Sequence, residues 1–320
     1  MASIETVQGP VDAAELGVTL IHEHVRFRDE GVAEQWPGCY DDEAEMQAAL
    51  EQVNNAAEHG VKTIVEPTAM FGGRDVEFMR RVCDQTGVRL VPCTGIYTYD
   101  YLPHYFANRS EDQMAEHFVA DIERGIQDTG IKAGFLKCAA DEPGVTPNIE
   151  KVHRAVARAS IQTGAPIMAH SRPASETGPR QMEIFVEEGV DPGKVQIAHT
   201  GDTDDLDYIE RVLDTGAWIG LDRYGLEMFL PMDRRNATTL ELLRRGYADR
   251  LFIGADFCAT IDWFPQEAAE GLVEAGLIRS DWSMTLVFEQ VLPKLREEGV
   301  FGDETFQRVF VDNPQRWLTS

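Results

Sequence analysis

Apolar residues recur along this chain in short runs separated by longer stretches of helical spacing, and many of the runs end in a side chain able to do chemistry. Val18-Thr19-Leu20-Ile21 leads into His22-Glu23-His24. Side chains alternate across a strand, so His22 and His24 share one side and Glu23 points to the other. Asp41–His59 has helical spacing, an acidic first turn and Gly60 just past its end, an expected stop signal. His59 reads as a favourable charge at that C-terminus. The pattern repeats through strand Lys62–Glu66, helix Asp75–Thr86 stopped at Gly87, strand Arg89–Thr94 opening into Gly95-Ile96-Tyr97-Thr98-Tyr99, helix Glu111–Asp128, and the run Gly134–Cys138 that carries Lys137. It continues with helix Asn148–Thr163, strand Pro166–Ala169 into His170, helix Gln181–Gly189, strand Val195–Ala198 into His199, helix Asp204–Thr215, strand Ala217–Leu221 into Asp222-Arg223-Tyr224-Gly225, helix Thr239–Tyr247, strand Leu251–Ala255 into Asp256, and a helical tail from Trp282 to Leu318.

About eight strand–helix pairs of this kind predict an α/β fold, a closed (β/α)8 TIM barrel, with residues 1–320 forming one domain. Strands covered on both faces should be nearly continuous apolar runs, and most of these are. An open doubly wound sheet is the competing arrangement, but no Gly-rich phosphate loop follows the first strand. In a barrel the functional face is the C-terminal end of the strands, so polar residues there converge on one pocket.

Composition narrows the partners. The net charge of −26 argues against a nucleic-acid surface, because backbone binding needs clustered Lys and Arg. No basic-then-apolar leader is seen at Met1-Ala2-Ser3-Ile4-Glu5, and no apolar run approaches the roughly 18 residues of a membrane span, so a cytoplasmic protein is expected. The five cysteines, Cys39, Cys83, Cys93, Cys138 and Cys258, lack CxxC spacing and suit a reducing compartment. His104, His117 and His153 fall in a loop or on helices and read as surface or packing residues.

The chemistry gathers at strand ends: His22 and His24 on the first strand, Lys137 on the fourth, His170 on the fifth, His199 on the sixth and Asp256 on the eighth. A lysine in a buried strand needs a partner or loses its proton. It can pair with a carboxylate, act as a base, form a Schiff base, or take up carbon dioxide to give a carbamate with two ligand oxygens. Imidazole with oxygen ligands suits zinc, iron, cobalt or manganese. His22, His24 and Asp256 would hold a buried ion, His170 and His199 a more exposed one, and carboxylated Lys137 together with a hydroxide would bridge them. Two ions about 3.5–4 Å apart supply a nucleophile and polarise a substrate oxygen, so hydrolysis is the natural reaction class.

Thr19-Leu20-Ile21-His22-Glu23-His24, Phe135-Leu136-Lys137, the strand-end His170, His199-Thr200-Gly201-Asp202 and the later Asp256 closely resemble the phosphotriesterase family of the amidohydrolase superfamily, over nearly the whole chain. Gly95-Ile96-Tyr97, Leu221-Asp222-Arg223-Tyr224-Gly225, Cys258-Ala259-Thr260-Ile261-Asp262-Trp263 and Trp282-Ser283-Met284-Thr285-Leu286 look specifically like the phosphotriesterase-like lactonases. The resemblance implies a binuclear metallohydrolase that opens N-acyl-homoserine lactones, a quorum-quenching activity, with weak organophosphate triesterase activity and a homodimeric assembly. It leaves a phosphotriesterase acting mainly on phosphate esters as the alternative. One departure stands out: Gly254-Ala255 replaces the serine and polar residue that members commonly carry before the last metal-binding aspartate.

On this reading Asp256 carries the nucleophile's proton to the leaving ring oxygen, and the Tyr97 hydroxyl helps hold the lactone carbonyl. Tyr97, Tyr99, Arg223, Leu226, Phe229, Cys258 and Trp263 are expected to line the substrate site, with Met228, Ile261 and Phe264 extending an apolar channel. Arg223 is expected to position Tyr97 or the Trp263 loop, or to pair with Asp222 or Glu227. Cys258 has no base partner in the sequence and reads as a wall residue.

Overall fold

A computed structural model describes residues 2–320 of the chain. A small antiparallel pair, β1 (Ser3–Thr6) and β2 (Gly9–Asp12), precedes eight strands: β3 (Val18–Leu20), β4 (Val61–Glu66), β5 (Arg89–Gly95), β6 (Phe135–Ala139), β7 (Ile167–His170), β8 (Val195–Ala198), β9 (Trp218–Leu221) and β10 (Leu251–Ile253). They form one parallel sheet in the order β10-β9-β8-β7-β6-β5-β4-β3, with helices between successive strands. The sheet closes just past the ends of β3 and β10, where Asp256 N–H donates to His22 O at 3.2 Å, His24 N–H to Phe257 O at 2.7 Å and Ala259 N–H to His24 O at 2.9 Å. The result is the expected (β/α)8 TIM barrel, sealed on its C-terminal side.

Alternation along the strands divides two cores. Leu136, Cys138, Ile167, Ala169, Ile197 and Ile219 face out and pack with helix residues such as Phe118, Val152 and Phe185. Phe135, Met168, Ala198, Trp218 and Phe252 share the interior cluster with Trp317 from the tail and Ile4 from β1. Strands β6 to β10 are buried at every position, which is why they read as unbroken apolar runs.

Helix starts follow the caps visible in sequence. Asp41, Asp75, Thr146 and Asp205 each accept backbone N–H bonds at the first turn of the helices Asp42–Glu58, Val76–Thr86, Pro147–Thr163 and Leu206–Leu213. Some boundaries differ from the reading of the sequence, as where the helix expected from Gln181 begins at Thr177. The stretch expected to be helical through Asp128 stops at Glu123, because Gly125 turns at φ 121° and packs on Gly130 so closely that a Cβ would lie 2.6 Å from the Gly130 Cα. The helix expected at Thr239–Tyr247 runs instead from Met232 to Arg244, entered through Pro231, since its polar first turn hides the start. The tail is not one helix: Gly299, at φ 72°, separates a segment ending at Glu297 from one that begins at Asp303.

Two elements carried little pattern of their own. The β1–β2 pair is too short for a periodic signal. Helix Gln266–Glu274 has no buried residue and hence no apolar stripe to the core. Among the described residues no helix is long and apolar enough to cross a membrane.

Candidate metal centre

All six strand-end residues come to one end of the barrel interior. His22, Lys137, His170 and His199 are each about 1% exposed, and His24 is 6% exposed. Two of the six need an unusual backbone. His199 follows β8 at φ 62° and Asp256 follows β10 at φ 50°. A left-handed conformation in a non-glycine residue costs roughly 1–2 kcal/mol, so surrounding bonds must hold it. At His199 one is visible: its N–H donates to Asp222 Oδ1 at 2.8 Å.

Each histidine has one ring nitrogen held by a partner. His22 Nδ1 lies 2.8 Å from Asp222 Oδ2 and His199 Nδ1 lies 3.0 Å from Asp222 Oδ1, so one buried carboxylate anchors two rings. His24 Nδ1 meets Thr68 Oγ1 at 2.7 Å, and that hydroxyl donates to Glu66 Oε1 at 2.6 Å. His170 Nε2 meets Asp141 Oδ2 at 2.6 Å. The remaining nitrogens face the cluster. His22 Nε2 and His24 Nε2 stand 3.2 Å and 3.3 Å from Asp256 Oδ1, and His199 Nε2 stands 3.8 Å from Asp256 Oδ2. Outer partners of this sort fix the tautomer and aim of imidazole ligands.

Charge follows burial. Burial lowers the pKa of His199 well below its usual value and that of His170 to about 4, favouring neutral imidazoles with a lone pair to give. For Asp256, burial alone would raise the pKa, but His22, His199, His24 and Arg223 overcome it and hold the carboxylate ionised. Lys137 is desolvated, its pKa lowered by burial, and its Nζ lies 3.2 Å from His22 Nε2 and 3.3 Å from Met168 Sδ. Among the described residues no carboxylate bonds to it. A desolvated amine among imidazoles and one carboxylate is a donor set that fits divalent cations, and burial favours the unprotonated amine that can take up carbon dioxide. One group whose ligand atoms all lie within 4.8 Å of one another is His22, His199 and Asp256. It crosses the division by neighbouring strands expected from sequence, because Asp222 draws the His22 and His199 rings to 4.8 Å between centroids.

Above this cluster opens a cavity of about 590 Å³. Its floor is polar. Its walls, including Leu226, Phe229, Cys258, Ile261, Trp263 and Phe264, are apolar. Tyr97 and Tyr99 stand at the edge of the cluster, their hydroxyls 2.8 Å apart, and Tyr97 OH is 3.5 Å from His170 Nδ1. Burial raises the Tyr97 pKa well above its usual value and that of Tyr99 to about 12, so both stay protonated donors. Trp263 packs edge-on against Tyr97, Tyr99 and Phe27. Burial also pushes the Cys258 thiol well above its normal range, leaving a wall residue without thiolate character.

Arg223 differs from its expected pairing. Its Nε donates to Asp256 Oδ2 at 2.9 Å and its Nη1 to Asp202 Oδ2 at 3.0 Å, while the guanidinium lies 4.4 Å over the Phe229 ring. Neither Asp222 nor Glu227 is its partner, because Asp222 is committed to two histidines and Glu227 Oε2 accepts from Met232 N–H. Arg235, fully buried, continues the row by donating to Asp202 Oδ1 at 3.0 Å.

The outer partners Asp222, Asp141, Thr68 and Glu66 carry no role at the histidines in the reading of the sequence. A signal was present for two of them: Asp222 and Asp141 each follow closely on an apolar strand, as the histidines do. His153 is buried on its helix, with Nδ1 bonded to Ile149 O and Nε2 to Gln181, a packing residue as expected.

Residues 2–318 match the model of the phosphotriesterase family. The chain is 48% identical over 309 residues to an aryldialkylphosphatase of Saccharolobus solfataricus, covering 97% of each chain. It is 39% identical over 324 residues to a phosphotriesterase homology protein of Mycobacterium tuberculosis, covering 99% of this chain and 97% of that one. The solved structure of the phosphotriesterase from Mycobacterium tuberculosis superposes with a TM-score of 0.92 at 38% identity, over 99% of this chain and 98% of that one.

Proposed function

The chain belongs to the phosphotriesterase family and is a metal-dependent hydrolase, and from that premise we propose that it opens lactones, N-acyl-homoserine lactones in particular, and cleaves organophosphate triesters more slowly. The observation that carries this reading is the cavity of about 590 Å³, lined by the strand-end cluster and by an apolar wall of Leu226, Phe229, Ile261, Trp263 and Phe264 that suits an acyl chain. His22, His24, His170, His199, Asp256 and carboxylated Lys137 would hold two divalent ions. When bound, such ions lower the pKa of a water and polarise a carbonyl or phosphoryl oxygen.

The chain's own residues do the rest. Asp256 is ionised and oriented by Arg223 at 2.9 Å, so its carboxylate can accept a proton from the attacking water and return it to the leaving ring oxygen. Tyr97, kept protonated, donates to the oxygen on which negative charge develops. Trp263 and Phe229 exclude water above the floor, which strengthens these interactions.

A second reading has its own support. A relative at 48% identity is named aryldialkylphosphatase, and the same floor would serve a phosphate triester. The deciding experiment is a paired assay of the metal-loaded protein on a long-chain acyl-homoserine lactone and an aryl dialkyl phosphate, with Lys137→Ala alongside. Much faster lactone turnover, with both activities lost in the variant, is the expected result. Faster triester turnover would reverse the substrate order, and full activity in the variant would overturn the site.

A further inference from the structure

We infer that Glu23, the residue between the two strand-end histidines, is a positioning residue that fixes Asp256 through the backbone on either side of it. Glu23 lies on the opposite side of the strand from His22 and His24, and its carboxylate reaches across the seam where β3 and β10 form no ladder. Its Oε1 accepts from Ala255 N–H and its Oε2 from Phe257 N–H, both at 2.8 Å. Between those two donors Asp256 N–H donates to His22 O at 3.2 Å. Three successive N–H groups are thereby tied to one strand, and they bracket the residue whose φ of 50° is unfavourable for a side-chain-bearing residue.

Glu23 is fully buried, and no cation neutralises it among the described residues. Burial pushes its pKa well above the usual carboxylate range, and a buried acid costs stability unless its oxygens are hydrogen-bonded, as they are here by two backbone N–H groups. Here it holds a turn that an isolated Ala-Asp-Phe segment would not adopt. The clamp also accounts for Gly254. A Cβ at that position would lie 3.3 Å from Glu23 Oε1, a tight approach, and in ordinary contact with Asp222 Cβ at 3.4 Å, so a side chain there would press on the clamp.

The inference rests on Asp256 acting as ligand and proton carrier, so Asp256→Asn is measured beside Glu23→Gln, whose amide matches the shape of the acid but opposes one N–H donor with another. Expected for Glu23→Gln is a folded protein with kcat lowered about 10–100-fold, KM within about twofold, and bound metal lost to a chelator faster by a similar factor. A folded Glu23→Gln with kcat and metal retention within twofold of the parent, beside an inactive Asp256→Asn, overturns the role of Glu23 alone. Full activity in Asp256→Asn overturns both this role and the reading of the site. If Glu23→Gln does not fold, replacing the amide between residues 256 and 257 by an ester removes only the Phe257 donor, and the same two readouts apply with the same limits.

Discussion

At the N-terminal end of the barrel, Phe135, Trp218, Phe252 and Trp317 fill the interior with aromatic rings whose neighbouring centroids lie 5.2–5.9 Å apart. Two residues further along the same strands the facing positions are Lys137 after Phe135 and His170 after Met168. The two ends share a sheet, an alternation and a degree of burial. They differ in what burial does: at one end it removes apolar area from water, and at the other it strips water from groups that want it. Stability is built in one layer and spent in the next, which is why removal of a side chain should have opposite consequences at the two ends.

The largest effect is expected at the open end. Lys137→Ala should lower turnover on any substrate by roughly 10³-fold or more, since it removes a group acting as part of a unit. Measured on the metal-free proteins, its urea midpoint should change little or rise, because the variant no longer buries an unpaired amine. A large loss of stability there would break the contrast. Trp317→Ala is the mirror experiment. Removing this fully buried indole should cost about 3–5 kcal/mol, read by urea unfolding, while the folded fraction keeps its turnover within about twofold.

Next in size is a pH test that separates structural from chemical burial. His153 is packed in a helix away from the strand ends, and burial lowers its pKa from 6.5 to about 4. The unfolded chain therefore binds this proton first, and stability should fall as pH drops from 6.5 towards 4, by up to about 3 kcal/mol for this group. The difference in unfolding free energy between the parent and His153→Leu, followed across that interval, should carry the slope; a pH-independent difference would mean that His153 is solvated.

Asp222→Asn sharpens the comparison within the site. It keeps the shape but weakens the anchor shared by His22 and His199, and metal retention and kcat should fall about 10–100-fold. Smaller still should be Tyr97→Phe, with kcat reduced by about tenfold and KM nearly constant, the pattern of a donor used mainly as charge develops. A rise in KM alone would instead make Tyr97 part of the substrate wall.

Much of this was present in the order of residues. Strand ends are where an apolar run stops, and a run that stops in His or Asp announces both the fold and its functional face, so the barrel and the six converging side chains could be read directly. Helix ends marked by Gly87 and Gly164 were legible for the same reason, as single positions with a local cause. The break at Gly125 was not, because it depends on contact with Gly130 rather than on any pattern within the helix.

The sequence by itself therefore determined which side chains could meet, since the period of a strand assigns each residue to a face and the end of a strand assigns it to a pocket. Only the tertiary structure decided how they meet. That Asp222 serves two histidines, that Arg223 turns to Asp256 and Asp202 rather than to its sequence neighbours, and that Glu23 spans the seam are results of closing the barrel, because closure brings together residues 23 and 255 or 22 and 222, whose separation in sequence carries no period to read.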